Sequence, residues 1–212
     1  MSELTTNPTQ GTDDWRKQRL GKVTASKMSD MLAKTKSGWG ASRANYAAQL
    51  LVERLTGQPQ EAYQNGARQW GTDTEPKARD AYQFMTDNEV VEVGFIDHPT
   101  IAMSGASPDG TIGDDGLIEI KCPNTATHLD TMLGDGMPDK YIKQIQWQLA
   151  CTGRKWCDFV SFDPRLPADL QMRVIRVDRD DVLIATLEDE TRVFLKEIDD
   201  KIAALNARKE AA

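Results

Sequence analysis

Apolar residues recur at helical spacing over much of the chain. The longest such pattern begins at Asp178 and runs toward the C-terminus, with Leu183, Leu187, Phe194 and Ile198 separated by four or seven positions. This spacing predicts one long amphipathic helix whose apolar stripe faces the core. Similar patterns and capping signals predict further helices at 13–20, 24–34, 42–57, 67–86, 125–133 and 138–151.

Short runs rich in apolar and β-branched residues predict the strands. They lie at 89–95, 101–103, 110–112, 117–121, 156–162 and 172–177, and we expect the first four to share one sheet. The basic, glycine-containing segment 34–40 is expected to be a loop. Residues 1–12 are rich in Thr, Asn, Pro and Gly, which is typical of a flexible tail. The remaining residues, 13–212, have a length that suits a single domain.

One short motif stands out against this pattern. An aspartate, Asp109, lies on a predicted tight turn, and the strand at 117–121 then carries Glu119 and Lys121. Residues two apart on a strand point to the same face. Two carboxylates can bind a hard divalent ion such as Mg²⁺, and a nearby lysine can orient or deprotonate an attacking water. Together they form a chemical set suited to metal-assisted hydrolysis of a phosphodiester.

A surface hairpin with a cross-strand ion pair is the alternative interpretation of this motif. The apolar residues Leu117, Ile118 and Ile120 argue against it, because they indicate a packed strand. Burying Glu119 and Lys121 on such a strand would be costly without partners or a metal. The nuclease interpretation is therefore favoured.

Composition excludes several other classes of protein. No apolar run approaches the roughly 18 residues of a membrane span, and the polar start of the chain lacks a signal-peptide pattern. The three cysteines have no CxxC spacing, which argues against a disulfide scaffold or a structural zinc site. We therefore expect a cytoplasmic protein that does not bind a membrane.

The net charge of −7 is unevenly distributed. Eight basic residues and one acid lie between Arg16 and Arg43, whereas nine acids and three basic residues lie between Asp178 and Asp200. This asymmetry indicates a basic surface for a polyanion, with a solvated basic helix as the alternative. The candidates for DNA contacts are Trp15, Lys36, Trp39 and Arg43.

Four sequence blocks together carry a family resemblance. They are WRKQRLG followed by TAS at 15–26, Trp70-Gly71 with Glu75, the SPDG and EIKCP segments at 107–123, and YIKQIQ at 141–146. In this order and spacing the chain resembles the phage lambda exonuclease family, that is, viral recombination nucleases of the YqaJ type in the PD-(D/E)xK superfamily. The resemblance covers nearly the whole chain from about Asp13.

The resemblance implies an α/β fold with a restriction-endonuclease-like core, in which helices flank a mixed β-sheet. It implies a 5′→3′ exonuclease that degrades one strand of linear double-stranded DNA with 5′-phosphate ends, releasing 5′-mononucleotides and leaving 3′ single-stranded tails. It further implies two Mg²⁺ ions, replaceable by Mn²⁺, and a toroidal homotrimer. A phage or prophage origin in a bacterial cell and a single-strand annealing partner are also implied.

The resemblance also assigns residue roles. Asp109 and Glu119 would bind the metal with the Ile120 carbonyl, Glu75 would hold a second ion or its waters, and Lys121 would position the nucleophilic water. Gln144 would act near that water or the scissile phosphate, with Gln146 as an alternative. Arg19 and Ser26 would bind the terminal 5′-phosphate, and we expect Ser26 or Thr24 to cap a helix there. Because Pro76 follows Glu75, we expect that acid at a kink or a helix start.

Two other functions remain open from the residues. One is a structure-specific or restriction-type endonuclease with the same core, which would cut a closed circle. The other is a catalytically inactive DNA-binding protein of recombination, which the presence of all the acids and the lysine disfavours.

Overall fold

The computed structural model of the chain describes residues 8–36, 38–60 and 66–210, so residues 1–7 of the predicted tail lie outside it. The helices are α1 (Asp13–Arg19), α2 (Met28–Met31), α3 (Ala41–Thr56), α4 (Gly66–Thr86), α5 (Thr125–Leu133), α6 (Asp139–Thr152) and α7 (Asp181–Glu210). The strands are β1 (Val23–Thr24), β2 (Lys34–Thr35), β3 (Gly38–Trp39), β4 (Val90–Val91), β5 (Ile96–Asp97), β6 (Ser104–Ala106), β7 (Gly110–Ile112), β8 (Gly116–Lys121), β9 (Trp156–Phe162) and β10 (Met172–Asp178).

A five-stranded mixed sheet forms the centre of the fold, in the order β10-β9-β8-β7-β4. Strands β8 and β9 are parallel, whereas the other neighbouring pairs are antiparallel. Ile118 and Ile120 of β8 pack in one apolar cluster with Tyr82 of α4. Leu117 of β8 packs in another with Ile145 of α6. Helices therefore cover both faces of β8, and the expected mixed sheet flanked by helices is confirmed.

A second, smaller sheet has the order β1-β6-β5 and borders a third apolar cluster. Here the strand prediction was wrong in two respects. The run at 101–103 is not a strand, and β6 begins one residue later in the smaller sheet. Met103 adopts a left-handed backbone conformation with φ 59°, which breaks the extended run before Ser104.

The segment around 24–34 also differs from the single helix that was predicted. Thr24 pairs with Gly105 in β1, a 3-10 turn follows at Ala25–Lys27, and α2 has only four residues. Neither Thr24 nor Ser26 makes a side-chain capping bond there. The expected loop at 34–40 contains the short hairpin β2–β3. Tertiary pairing with β6 thus overrides the local helical signal.

Helix α4 continues through Pro76, so the expected helix start at Glu75 was wrong, and the alternative of a kink there stays a prediction. A proline removes one helical donor but does not prevent a helix whose face is held by packing. Tyr82, about two turns after Glu75, is fully buried, and its hydroxyl donates to Asp158 Oδ2 at 2.6 Å. Asp158 lies on β9 and also binds Arg176 of β10. The Tyr82–Asp158 bond connects α4, which carries Glu75, to the central sheet.

None of the helices in the described ranges is long and apolar enough to cross a membrane.

The Tyr82–Asp158 bond yields a stability prediction. Tyr82→Phe should lower the free energy of unfolding by about 1.5–3 kcal/mol, because the lost bond is made to a buried, charged acceptor. Urea unfolding monitored by circular dichroism measures the change. Tyr46→Phe is the matched control, since the Tyr46 hydroxyl is also buried but accepts from a neutral donor, the Thr24 amide, at 3.0 Å. Equal losses in the two variants would contradict the idea that the charge of the Asp158 carboxylate strengthens the Tyr82 bond.

Candidate active site

Strand β8 carries the first part of the site. Glu119 and Lys121 lie on the face that looks toward α6, and the Lys121 ammonium donates to Glu119 Oε1. Glu119 is almost completely buried, with 1% of its surface exposed, whereas the Lys121 side chain is partly exposed. The alternation of the strand sends Ile118 and Ile120 to the opposite face, where they pack against α4. The side-by-side arrangement expected for Glu119 and Lys121 is therefore present.

Asp109 is positioned by the turn that leads into β7. Gly110 pairs with Ile118 of β8, and a Cβ at this glycine would collide with Val90. A side chain at position 110 would therefore have to displace Val90 of β4. Asp109 Oδ2 accepts a hydrogen bond of 2.6 Å from the Ile120 amide, which lies between Glu119 and Lys121. The role expected of the Ile120 carbonyl stays a prediction.

Two glutamines of α6 complete the surroundings of Glu119. Gln144 Nε2 donates to Glu119 Oε1, and Gln148 Nε2 donates to Glu119 Oε2 at 2.6 Å. Gln146 points elsewhere: its amide bonds the backbone of Asp178 and Asp180. Of the two alternatives, Gln144 is thus the one that reaches the acids.

Gln148 was not predicted as a site residue. The signal for it is its position one helical turn after Gln144, on the same face of α6.

Glu75 approaches the site from α4. Its Oε1 accepts a 2.9 Å bond from Arg79, one turn further along the helix. Desolvation and then the charge of Glu119 raise the pKa of Glu75, although Arg79 and Lys121 counteract them. Glu75 is thus electrostatically coupled to the acids of β8, but it does not line the cleft described next.

A cleft of about 160 Å³ joins these groups to the N-terminal part of the chain. On one side it is lined by Asp109, Glu119, Lys121, Gln144 and Ser107, and on the other by Gln10, Trp15, Arg19, Thr24, Ala25 and Ser26. The structure therefore brings two of the predicted metal ligands, Asp109 and Glu119, into one cavity with the predicted phosphate-binding pair.

Arg19 and Trp15 are attached to the turn that carries Asp109. Arg19 Nη1 donates to Ser107 Oγ at 3.3 Å, and Trp15 Nε1 donates to the same oxygen at 3.0 Å. The Arg19 guanidinium lies 4.1 Å from the centre of the Trp15 ring, within the range of a cation–π interaction. Ser26 is exposed in the 3-10 turn that faces them across the cleft.

The segment before α1 also contributes to the cleft. The Gln10 amide nitrogen donates to the carbonyls of Val93 at 3.0 Å and Pro108 at 2.7 Å. Pro108 immediately precedes Asp109, so this bond restrains the peptide that holds the acid. Sequence composition had placed Gln10 in a flexible tail, because an N-terminal run rich in polar residues gives no sign of such a contact.

The other predicted DNA contacts lie outside the cleft. Arg43 is buried, donates to the Met31 carbonyl at 2.8 Å and to Glu197 at 2.9 Å, and lies 3.8 Å from the centre of the Trp39 ring. Trp39 is 45% exposed on the hairpin, and Lys36 is exposed in its turn. Their contact with DNA stays a prediction. The bonds of Arg43 give it a structural function in this fold.

The electrostatics of the site reflect crowding of like charges. Burial, followed by the charges of Glu119 and Glu75, raises the pKa of Asp109 well above its ordinary value of 3.8. Burial works to lower the pKa of Lys121, but the carboxylates of Glu119 and Asp109 outweigh it, so the pKa is raised. Lys121 is therefore a charged ammonium at neutral pH.

The donor set fits a hard divalent cation, since carboxylate oxygens are the ligands that Mg²⁺ prefers. Asp109 and Glu119 lie beside Lys121, and burial first and the neighbouring acids second raise the pKa of Asp109. Among the described residues, however, no three acidic, histidine or cysteine side chains form a ready-made cluster for a metal. The carboxylates are turned toward internal donors, namely Ile120, Gln144 and Gln148.

The raised pKa of Asp109 predicts how stability depends on pH in the presence of a chelator. Between pH 3.8 and the raised pKa, the folded protein retains a proton that the unfolded chain has lost. The contribution of Asp109 to the free energy of unfolding must therefore fall as the pH rises through this window. Each unit by which the folded pKa exceeds the unfolded pKa lowers that free energy by about 1.4 kcal/mol. Asp109→Asn retains an acceptor for the Ile120 amide, and above this window it should unfold at a higher temperature than the wild type.

Thermal unfolding from pH 4 to 9 with EDTA measures this effect. Asp114→Asn, an identical change at an exposed turn position, is the control and should follow the wild type. An Asp109→Asn variant that loses stability at every pH would show that the carboxylate is not strained in the metal-free protein.

Comparison with known proteins places this site in a family. The family model of the YqaJ-like viral recombinase domain matches residues 14–155. The alkaline exonuclease LHK-Exo from Laribacter hongkongensis is 53% identical, and the match covers 94% of this chain and 98% of that one with a TM-score of 0.88. Its structure in complex with dAMP matches equally well.

A phage-related exonuclease from Haemophilus somnus 129PT shares the fold, with a TM-score of 0.67 at 14% identity over 87% of this chain and 96% of that one. A comparison with curated proteins gave no match. The family model spans more than half of the chain, and it includes Asp109, Glu119, Lys121 and both glutamines. The protein belongs to the YqaJ-like viral recombinase family.

Proposed function

We propose that the protein is a Mg²⁺-dependent 5′→3′ exonuclease that degrades one strand of linear double-stranded DNA to 5′-mononucleotides. The observation that carries this proposal is the shared cleft, in which Asp109, Glu119 and Lys121 face Arg19 and Ser26. An acidic centre next to a guanidinium and a hydroxyl suits an enzyme that cuts a phosphodiester near a terminal phosphate.

The 53% identical relative supports a nuclease function, since it is an alkaline exonuclease. Its complex with dAMP shows that the relative binds a deoxynucleoside monophosphate. A mononucleotide of this kind is the product expected here. The 5′→3′ direction, the toroidal homotrimer and the annealing partner rest on the family resemblance, and we propose them on that basis.

Each residue of the cleft then has a defined task. Asp109 and Glu119, with Glu75 behind them, would hold the Mg²⁺ ions, which supply Lewis-acid polarisation of the phosphodiester when bound. Lys121 carries a positive charge, so it orients the attacking water and offsets charge on the phosphate. Gln144, which lies on the cleft wall, donates a hydrogen bond to Glu119 or to the substrate.

Arg19 would bind the terminal 5′-phosphate. Its guanidinium lies over the Trp15 ring and donates to Ser107, which precedes Asp109 by two residues. Ser26 adds an exposed hydroxyl on the opposite side of the cleft. A terminal phosphate held between them would place the first phosphodiester near the acids, which explains dependence on a DNA end.

Removal of a metal ligand tests the reaction itself. Glu119→Ala or Asp109→Ala should reduce Mg²⁺-dependent release of nucleotides from linear duplex DNA by at least about a thousandfold, because the deleted ligand removes the electrostatic centre of the reaction. DNA affinity should persist in part, since phosphate contacts elsewhere remain.

A covalently closed circle separates exonuclease from endonuclease in the same assay. The wild type should leave the circle intact and degrade it once it is linearised. Cutting of the closed circle would favour the endonuclease alternative, and normal turnover by Glu119→Ala would overturn the assignment of the site.

The phosphate pocket is tested with defined DNA ends. The wild type should degrade 5′-phosphorylated duplex faster than 5′-hydroxyl duplex, and Arg19→Ala should shrink that preference. A charge-assisted hydrogen bond of about 1.5–3 kcal/mol corresponds to a rate on phosphorylated ends that is roughly 10- to 150-fold higher. Initial rates on both substrates measure it.

Arg16→Ala is the matched control, because Arg16 lies on the same helix but pairs with Asp13 at the surface. It should retain the preference of the wild type. If Arg19→Ala slows both substrates equally, then Arg19 is a general contact and the phosphate is bound elsewhere.

A further inference from the structure

Gln148 is a buried polar residue to which the proposed reaction assigns no task. Its side chain projects from α6 toward β8, has no exposed surface and does not line the cleft. Its amide nitrogen nevertheless donates to Glu119 Oε2 at 2.6 Å. A residue that substrate cannot reach therefore holds one oxygen of a proposed metal ligand.

The two oxygens of Glu119 are bound differently. Oε1 accepts from Gln144 and Lys121, both of which line the cleft and can turn toward a bound substrate. In the described part of the structure, the side-chain donor to Oε2 is Gln148. When the cleft donors turn away, the bond to Oε2 is the one that keeps the carboxylate in its orientation.

The orientation of the Gln148 amide follows from its neighbour. A flipped amide would place the carbonyl oxygen against the Glu119 carboxylate, so the nitrogen must face the acid. In this orientation Oε1 of Gln148 is buried and has no hydrogen-bond partner among the described residues. Such an unmet acceptor is a cost, which the donor bond to Glu119 offsets.

We propose that Gln148 is a positioning residue that fixes the Glu119 carboxylate for metal binding, whereas Gln144 is free to serve the substrate. This inference rests on the proposed metal-dependent function and goes beyond it by separating the tasks of the two glutamines. Loss of an outer hydrogen-bond partner of a metal ligand commonly weakens metal affinity about 10- to 100-fold. Gln148 variants should show that loss in the absence of any DNA.

The experiment measures Mn²⁺ binding to the full chain without DNA, by calorimetry and by electron paramagnetic resonance. Gln148→Met retains the length of the side chain but removes its donor, and it should bind Mn²⁺ about 10- to 100-fold more weakly than the wild type. Gln144→Met should bind Mn²⁺ more nearly like the wild type, because Lys121 still donates to Glu119 Oε1. The same variant should lose turnover at saturating metal.

Gln146→Met is the matched control. Gln146 is also a buried glutamine of α6, but it bonds the backbone at 178 and 180. This variant should lose thermal stability and retain the metal affinity of the wild type. If Gln148→Met does not fold, then Gln148→Asn, whose amide is one methylene too short to reach Glu119, replaces it.

Wild-type affinity for Mn²⁺ in a folded Gln148 variant would overturn the inference and leave the proposed function intact. Equal weakening by Gln146→Met would also overturn it, since the effect would then come from general loosening of α6. A wild-type chain that binds no Mn²⁺ would instead overturn the proposed metal site, and this inference with it.

Discussion

Glu119 is an acidic side chain on the central strand of the sheet, and it is almost entirely removed from water. An ionised carboxylate in such a place is strongly unfavourable unless charged or dipolar partners surround it. The fold supplies Lys121 from the same strand and two glutamine amides from α6. This requirement constrains the fold near the site. Strand β8 must be central so that Ile118 and Ile120 are covered on one face, and α6 must lie over the other face so that its amides reach Glu119.

The same strand pairing brings the second acid into place. Asp109 accepts a hydrogen bond from the Ile120 amide beside the point where Gly110 pairs with Ile118 of β8. The turn before it is tied to the N-terminal part of the chain by three donors, from Gln10, Trp15 and Arg19. The proposed metal side and phosphate side of the cleft are thus one mechanical unit. A change at Arg19 will act on Ser107 as well as on a bound phosphate, and for that reason the comparison of two DNA ends is more informative than a single rate.

Sequence reasoning succeeded where local pattern and tertiary environment agree. The helix at 125–133 and the strand at 156–162 were predicted with their observed bounds, because Asn124 caps the helix and the strand is rich in apolar residues. It failed where contacts distant in sequence decide, as for Thr24, which pairs with Gly105, and for Glu75, which a proline did not separate from its helix. In the site, Glu119 and Lys121 follow from strand alternation and Asp109 from the predicted turn. Gln10 and Gln148 do not, because only the folded chain shows that their amides reach Pro108 and Glu119.

The basic segment of the sequence illustrates the same limit for charge. Within the part of the chain that the structure describes, at least six of its eight basic side chains form ion pairs with acids, among them Lys34 with Glu190 and Arg43 with Glu197 of the acidic C-terminal helix. Basic and acidic residues that are separated along the sequence are therefore partly paired in the folded chain. The basic segment offers DNA less positive charge than its composition suggests. Since each neutralised phosphate contributes to nonspecific affinity through counterion release, one chain would hold a long duplex only weakly. Enclosure of the duplex by the proposed ring of three chains would retain DNA by topology, so that the cations of the cleft would have to orient the duplex rather than to hold it.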